Sequence, residues 1–284
     1  MDDRKEWHGG MHEKKVEDFY GQGAQDFADH HGGFLSFGYW VDGVGDYVAA
    51  AERLVDEMTK RMGLNPDSRL LDVACGMGAQ DVRMMKTIGP ASIDCLDVTW
   101  PHVVATRARI AQANLSDRVK VHHGTATALP FPDATFTHVM SIEGPEHFHT
   151  RELFLNEAFR VLKPGGVLML TDYSLVHDPK NVVEQALVDF VGWLWQVPKE
   201  NHDTNARYQQ KLENIGFRNA HLDNVGKDVI PGYYFEHKKP EVREKVAKIR
   251  GLKTRLFGPL IDWGVYKTFE VGVVEYVFVR AEKA

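Results

Sequence analysis

Cysteine is almost missing from this 284-residue sequence, where Cys75 and Cys95 are the only two. Two thiols build no disulfide scaffold, and the simple expectation is a reducing, cytoplasmic setting. Long apolar runs are missing too. Stretches such as Tyr276-Val277-Phe278-Val279 stop far short of the roughly 20 residues of a membrane span. Residues 1–6 are polar and lack the apolar stretch of a secretory leader. Positive charge is not in excess: 34 Lys and Arg against 40 Asp and Glu leave a net charge of −6. A broad phosphate-tracking face is therefore not expected, and no nucleic-acid partner. There is no internal repeat, low-complexity tract or Pro/Gly/Ser-rich linker. What is present is 43% hydrophobic and 26% charged, enough for one large domain with its own core.

The chain reads as one α/β domain in several zones. Residues 1–63 form a helical cap. Within it, Val48, Ala51, Leu54, Val55 and Met58 recur at helical spacing. A loop rich in glycine and aromatics, residues 31–40, precedes that helix; it reads equally as a clamp on the core and as a ligand-facing segment. Residues 64–225 alternate strands and helices. The strands are Arg69–Val73, Ile93–Val98, Val119–His122, Phe136–Ile142, Val167–Asp172 and Phe217–Val225. Alternation at this interval predicts a doubly wound, mostly parallel sheet with right-handed crossovers. Residues 226–268, with a basic helix from Pro240 to Leu256, form an insertion placed to act as a lid. Residues 269–284 supply a final strand.

In an open parallel sheet, ligands bind beyond the carboxyl ends of the strands. The first turn there is Asp72-Val73-Ala74-Cys75-Gly76-Met77-Gly78-Ala79-Gln80-Asp81. Gly76 and Gly78 let backbone approach a ligand. A dinucleotide fingerprint would place a third glycine where Asp81 stands, and an acid at a helix start repels a pyrophosphate. Asp72, ending the first strand, suits an ammonium group. Asp97, ending the second, suits ribose hydroxyls. A ribose, a cationic amino-acid end and no phosphate together describe S-adenosylmethionine.

The run Leu70-Leu71-Asp72-Val73-Ala74-Cys75-Gly76-Met77-Gly78 resembles the first motif of class I S-adenosylmethionine-dependent methyltransferases. Leu129-Pro130-Phe131-Pro132-Asp133 and the segment from Glu157 to Gly166 resemble later motifs of that family. The resemblance implies a Rossmann-like sheet of seven strands, the last antiparallel. It also implies a cofactor site made by Asp72, Ala74, Cys75, Gly76, Gly78, Gln80, Asp97, Val98, Thr125, Ala126 and Ser141. Two positions depart from the pattern. Ala74 replaces a usual glycine, and Thr125 stands where many members hold adenine with an aspartate.

The segment Ser141-Ile142-Glu143-Gly144-Pro145-Glu146-His147-Phe148 resembles that of methyltransferases acting on tocopherols, sterols and related natural products. This implies a pocket floor beside the donor. His147 is the first candidate for a catalytic base, with Glu146 and Glu143 next. Each also has a structural reading: Glu143 as a helix cap, Glu146 as an exposed acid, His147 as a satisfied core histidine. No metal site is expected, because the 14 histidines show no ligand spacing.

Aromatic residues outside the motifs, among them Phe34, Phe37, Trp195 and Tyr233, favour a hydrophobic small-molecule acceptor. Tyr20, Tyr39, Trp40, Trp193 and Tyr234 are chosen from that group as acceptor-contacting. The activity implied is methyl transfer to a small natural product, with carbon slightly ahead of oxygen or nitrogen as the accepting atom. The alternatives are a methyltransferase-like protein that cyclises a biosynthetic intermediate, or a non-catalytic binding protein. The sequence leaves homo-oligomer formation open.

Overall fold

A computed structural model describes residues 10–21, 31–41 and 43–284, without the side chains of 245–257 and 261. The polar start at residues 1–6 and the charged side chains of Lys245, Lys248, Arg250, Lys253 and Arg255 lie outside the described residues.

Helix α1 spans Met11–Tyr20. Helix α2, Tyr47–Met62, starts where Asp46 Oδ1 accepts the Ala49 N–H at 2.9 Å. Such a cap contributes about 1 kcal/mol. Gly63, at φ 70, ends α2 in the left-handed conformation. The predicted alternation then follows as β1 (Arg69–Val73), α3 (Ala79–Thr87), β2 (Ser92–Asp97), α4 (Trp100–Gln112), β3 (Val119–His123) and β4 (Phe136–Ile142). Next come α5 (Arg151–Val161), β5 (Leu162–Leu175), α6 (Val182–Leu194), α7 (Asn205–Ile215) and β6 (Phe217–Asn224). Helices α8 (Ile230–Lys238) and α9 (Pro240–Glu270) precede β7 (Val274–Lys283).

The seven strands lie in the order β3-β2-β1-β4-β5-β7-β6. The first five are parallel, and β7 runs antiparallel between β5 and β6. This is the doubly wound α/β sheet expected. Adjacent residues of β1 feed opposite faces, as the period-two pleat requires. Leu70 joins the core under α2 with Leu54, Met58 and Ile93. Leu71 joins the core under α5 with Phe136, Phe154 and Leu168. The chain order reverses between β1 and β4. Loops leaving those strands diverge there and open a crevice at their carboxyl ends.

The boundaries that differ most from expectation are those of β5 and α9. Strand β5 begins at Leu162 rather than Val167, because Leu162 already pairs with Phe136. The register then jumps to Val167 opposite His138, so the Pro164-Gly165-Gly166 segment is an irregularity inside the strand. The basic helix runs on to Glu270 with Pro259 inside it, which delays the last strand to Val274. No helix among the described residues is long and apolar enough to cross a membrane.

Candidate active site

A cavity of about 420 Å³ lies over the reversal point, lined by Ala74, Gly76, Asp97, Val98, Ile142 and Glu143 among others. Its first half is made by strand ends and the glycine turn. Gly76 and Gly78 have φ of 56 and 73. A Cβ on Gly78 would come 2.6 Å from Thr106 Cγ2, so glycine there lets α3 start against α4. Asp97 binds the turn itself. Its Oδ2 accepts the Gly76 N–H at 2.9 Å and its Oδ1 the Thr99 N–H at 2.8 Å. Across the cavity stand Thr125 and Ala126. The Thr125 hydroxyl lies 3.0 Å from that of Thr127.

Four residues expected in the cofactor site do not line this cavity: Asp72, Cys75, Gly78 and Ser141. Asp72 is fully buried and Gln80 covers it, donating Nε2–H to Asp72 Oδ2 at 3.0 Å. Gln80, not Asp72, forms the wall. Burial, and then the neighbouring Asp81 carboxylate, push the Asp72 pKa well up. Asp81 is also fully buried, and burial raises it to about 6. The acid read as facing a ligand at the helix start therefore turns into the core. Ligand atoms of Cys75, Asp81 and Cys95 lie within 4.8 Å of one another behind the turn. A hydrogen bond with Cys95 pulls the Cys75 thiol down, but burial pushes it up to about 12.

The second half gathers distant pieces of chain. Glu143 follows β4 at φ 50. Its Oε1 accepts the Phe37 N–H from the aromatic loop and the Tyr276 hydroxyl from β7, both at 2.8 Å. Glu143 also lines the cavity. Burial pushes the Glu143 pKa up to about 7. His147 Nε2 and the Tyr20 hydroxyl of α1 are 2.7 Å apart. Burial pushes His147 down to about 4, so its imidazole is neutral at pH 7.

Glu146 is not the exposed acid expected. The turn Pro145–His147 tucks it inward, fully buried, with no hydrogen-bond partner for either oxygen among the described residues. Burial, then the charges of Asp172 and Glu143, raise its pKa well above the carboxylate range. The turn is clamped by Asn201, whose Nδ2 donates to the carbonyls of Glu146 at 2.9 Å and Phe148 at 2.8 Å. Asn201 Oδ1 accepts the Arg151 N–H at 2.9 Å. A lone asparagine 50 residues on carries no sequence signal for that task.

Of the five residues expected to meet the acceptor, Tyr20 alone lines the cavity. Trp193 is 69% exposed. Trp40 donates its indole N–H to the Phe37 carbonyl at 2.8 Å and packs on Gly232. Tyr39 leans on Phe278, and Tyr234 stacks on Tyr266. Other aromatics on the wall include Phe34, Phe37, Trp195 and Tyr233. Phe37 and Tyr233 stack at 3.8 Å, joining the loop to α8.

The cavity fits S-adenosylmethionine. Gly76 presents bare backbone, Asp97 offers a carboxylate at the end of β2, and no Lys or Arg stands among the described lining residues, as a pyrophosphate-bearing cofactor would want. A methyltransferase domain model matches residues 70–166. Erythromycin 3''-O-methyltransferase of Saccharopolyspora erythraea is 32% identical over 216 residues, which cover 72% of this chain and 70% of that protein. The chain belongs to the S-adenosylmethionine-dependent methyltransferases.

This methyltransferase also resembles the ubiquinone/menaquinone biosynthesis C-methyltransferase UbiE of Roseobacter denitrificans. The identity is 36%, over 49% of this chain and 54% of that protein. Among solved structures, the [4+2]-cyclase SpnF aligns at a TM-score of 0.77 and 22% identity, covering 94% of each chain. That likeness is one of fold. S-adenosylmethionine is the methyl donor of this enzyme.

Proposed function

We propose that this enzyme transfers the methyl group to a hydroxyl oxygen of a hydrophobic natural product, with Glu143 as the base. One observation carries the reading. Glu143 lines the cavity and is held there by two donors to Oε1. Its pKa of about 7 is matched to accepting a proton near neutrality.

The bound cofactor supplies an activated sulfonium methyl. The chain's own residues then have three tasks. Asp97, Gly76, Val98, Thr125 and Ala126 hold the donor, and Ala74 and Gln80 complete its wall. Phe34, Phe37, Trp195 and Tyr233 exclude water and seat the acceptor. Glu143 Oε2 takes the acceptor proton as the oxygen attacks, while Tyr276 and the Phe37 N–H keep the carboxyl in place. Positioning of this kind is a large part of the acceleration in bimolecular transfers.

His147 is read as a neutral partner that fixes Tyr20 over the acceptor, and Glu146 as a buried neutral acid without a proton-transfer role. Residues 226–268 act as a lid through Tyr233 and His237, which line the cavity. Oxygen is favoured over carbon because the O-methyltransferase relative matches more of the chain than the C-methyltransferase relative does. Carbon stays the second reading, supported by the likeness of residues 141–148 to carbon methyltransferases. The test is an acceptor screen read by product mass and by fragmentation. A methyl ether supports the oxygen reading; a new carbon–carbon bond reverses it. A product of unchanged mass would point to rearrangement instead of transfer.

A further inference from the structure

A second, smaller cavity of about 70 Å³ adjoins the first, between β5, α6, α9 and the start of β7. Its accessible surface is almost wholly apolar, formed by residues such as Leu175, Val188, Val191 and Val265, although Glu146, Asn201 and His202 also belong to its wall. Trp195 is the one described residue that lines both cavities. Trp195 therefore stands where the two cavities meet.

The way this ring is held matters. The indole N–H is buried without a hydrogen-bond partner among the described residues. Contacts between rings hold it instead: Phe37 edge-on at 5.3 Å, Tyr173 edge-on at 6.2 Å and His147 stacked at 6.2 Å. Buried indole N–H groups usually find a partner. A tryptophan without one can shift or be shortened with no hydrogen bond lost, so its position is set by shape alone. Directly behind it stands a chamber whose accessible surface is almost wholly apolar.

We propose that Trp195 sets the acceptor size of this enzyme: it is the floor of the acceptor cavity, and the small cavity behind it is a latent apolar subsite for a hydrocarbon limb of the acceptor. This rests on the reading of the larger cavity as the acceptor site. A hydrocarbon is the occupant because the chamber offers almost no polar surface, and burying an unpaired polar group there is costly. The chamber holds about two methylene groups, on the scale at which a water takes about 30 Å³.

The test uses a homologous series of 1-alkanols from hexanol to tetradecanol, titrated by calorimetry into protein saturated with S-adenosylhomocysteine. For wild type, affinity rises about fourfold per carbon, the value of a buried methylene, until the chain reaches Trp195, and then levels off. In Trp195→Ala the plateau moves about two carbons or more to longer chains. In Trp195→Ala with Val188→Phe, which refills the small chamber, it returns towards the wild-type length. S-adenosylhomocysteine affinity in each variant reports that the protein is folded. A plateau that stays put in Trp195→Ala, with cofactor binding intact, overturns the proposal while leaving the acceptor cavity standing. A shift that Val188→Phe does not reverse overturns the assignment of the chamber. Failure of wild type to bind any alkanol overturns both this proposal and the acceptor reading on which it rests.

Discussion

The two halves of the large cavity are assembled from different kinds of sequence. In the donor half, the glycine turn is held by a partner close along the chain: Asp97 holds Gly76 from 21 residues away. It is one strand-turn-helix unit followed by the next strand, and each feature has a local cause. In the acceptor half, Glu143 is bound from 106 residues upstream by Phe37 and from 133 downstream by Tyr276. Tyr20 meets His147 across 127 residues. A site of the first kind is fixed by the strand order. A site of the second kind depends on how the cap and the insertion fold back over it. The donor half therefore belongs to the fold, and the acceptor half to this particular chain.

The largest expected effect lies in the acceptor half. Glu143→Gln keeps the shape and an oxygen for the Phe37 N–H but removes the base. Turnover with an accepted substrate falls by about 10²–10⁴-fold, while S-adenosylhomocysteine affinity changes by no more than a few-fold. In wild type, turnover rises with pH through about 7 as Glu143 ionises; the Gln variant loses that limb. The same shift makes Glu143 a stability liability. Its folded pKa lies above its unfolded value, so its contribution to stability is lost as pH rises from about 4.5 to about 7. A pH profile of Glu143→Gln with the wild-type inflection would mean that another group is the base.

Asp97→Ala comes next and strikes the other half. It removes the partner of two backbone N–H groups together with the carboxylate offered to the cofactor. Each such charged hydrogen bond contributes about 1.5–3 kcal/mol, so calorimetry is expected to report about a 100-fold weaker S-adenosylhomocysteine complex. Retained affinity would transfer the ribose role to another residue and break the contrast between the halves.

How much of this was legible follows the same division. The strand order, the glycine turn and the wall positions of Gly76, Asp97, Val98, Thr125 and Ala126 were readable because pleat period, turn chemistry and the reversal point are local rules. Asp72 failed for a reason no pattern carries: the Gln80 amide lies over it. Asp81 failed because a helix's first turn places a side chain inward or outward according to packing. In the aromatic group, the sequence marked the right neighbourhoods, but of the members chosen Tyr20 lines the cavity and the other four do not. Trp193 and Trp195 are two positions apart, and a helix end sends such residues to opposite sides. One lines the cavity, while the other is 69% exposed. Glu146 was misjudged because a single turn, clamped by Asn201, reverses its direction.

Tyr20→Phe tests the tie between cap and core with a smaller effect. Losing one hydrogen bond to His147 costs about 0.5–1.5 kcal/mol. The expected result is a rise of about threefold to tenfold in acceptor KM, with S-adenosylhomocysteine binding unchanged. Because burial depresses His147 to about 4 from 6.5, its neutral ring contributes stability that is lost as pH falls through that window. A Tyr20→Phe effect confined to thermal stability, with KM unmoved, would reduce the pair to a structural strut.

Trp193→Ser carries the smallest expected effect, and it divides the halves most finely. Trp193 stacks only loosely on Phe190 at 6.4 Å and projects from the outer face of α6, away from both cavities. Exposed substitutions of this type usually change stability by no more than about 0.5 kcal/mol. Acceptor KM and turnover should stay within about twofold of wild type, in contrast to Trp195→Ala only two residues along. If Trp193→Ser alters acceptor selection as strongly as Trp195→Ala does, then α6 moves as a unit during binding. The acceptor half would then extend over its whole outer surface, and the line between cavity wall and exterior would lie in the wrong place.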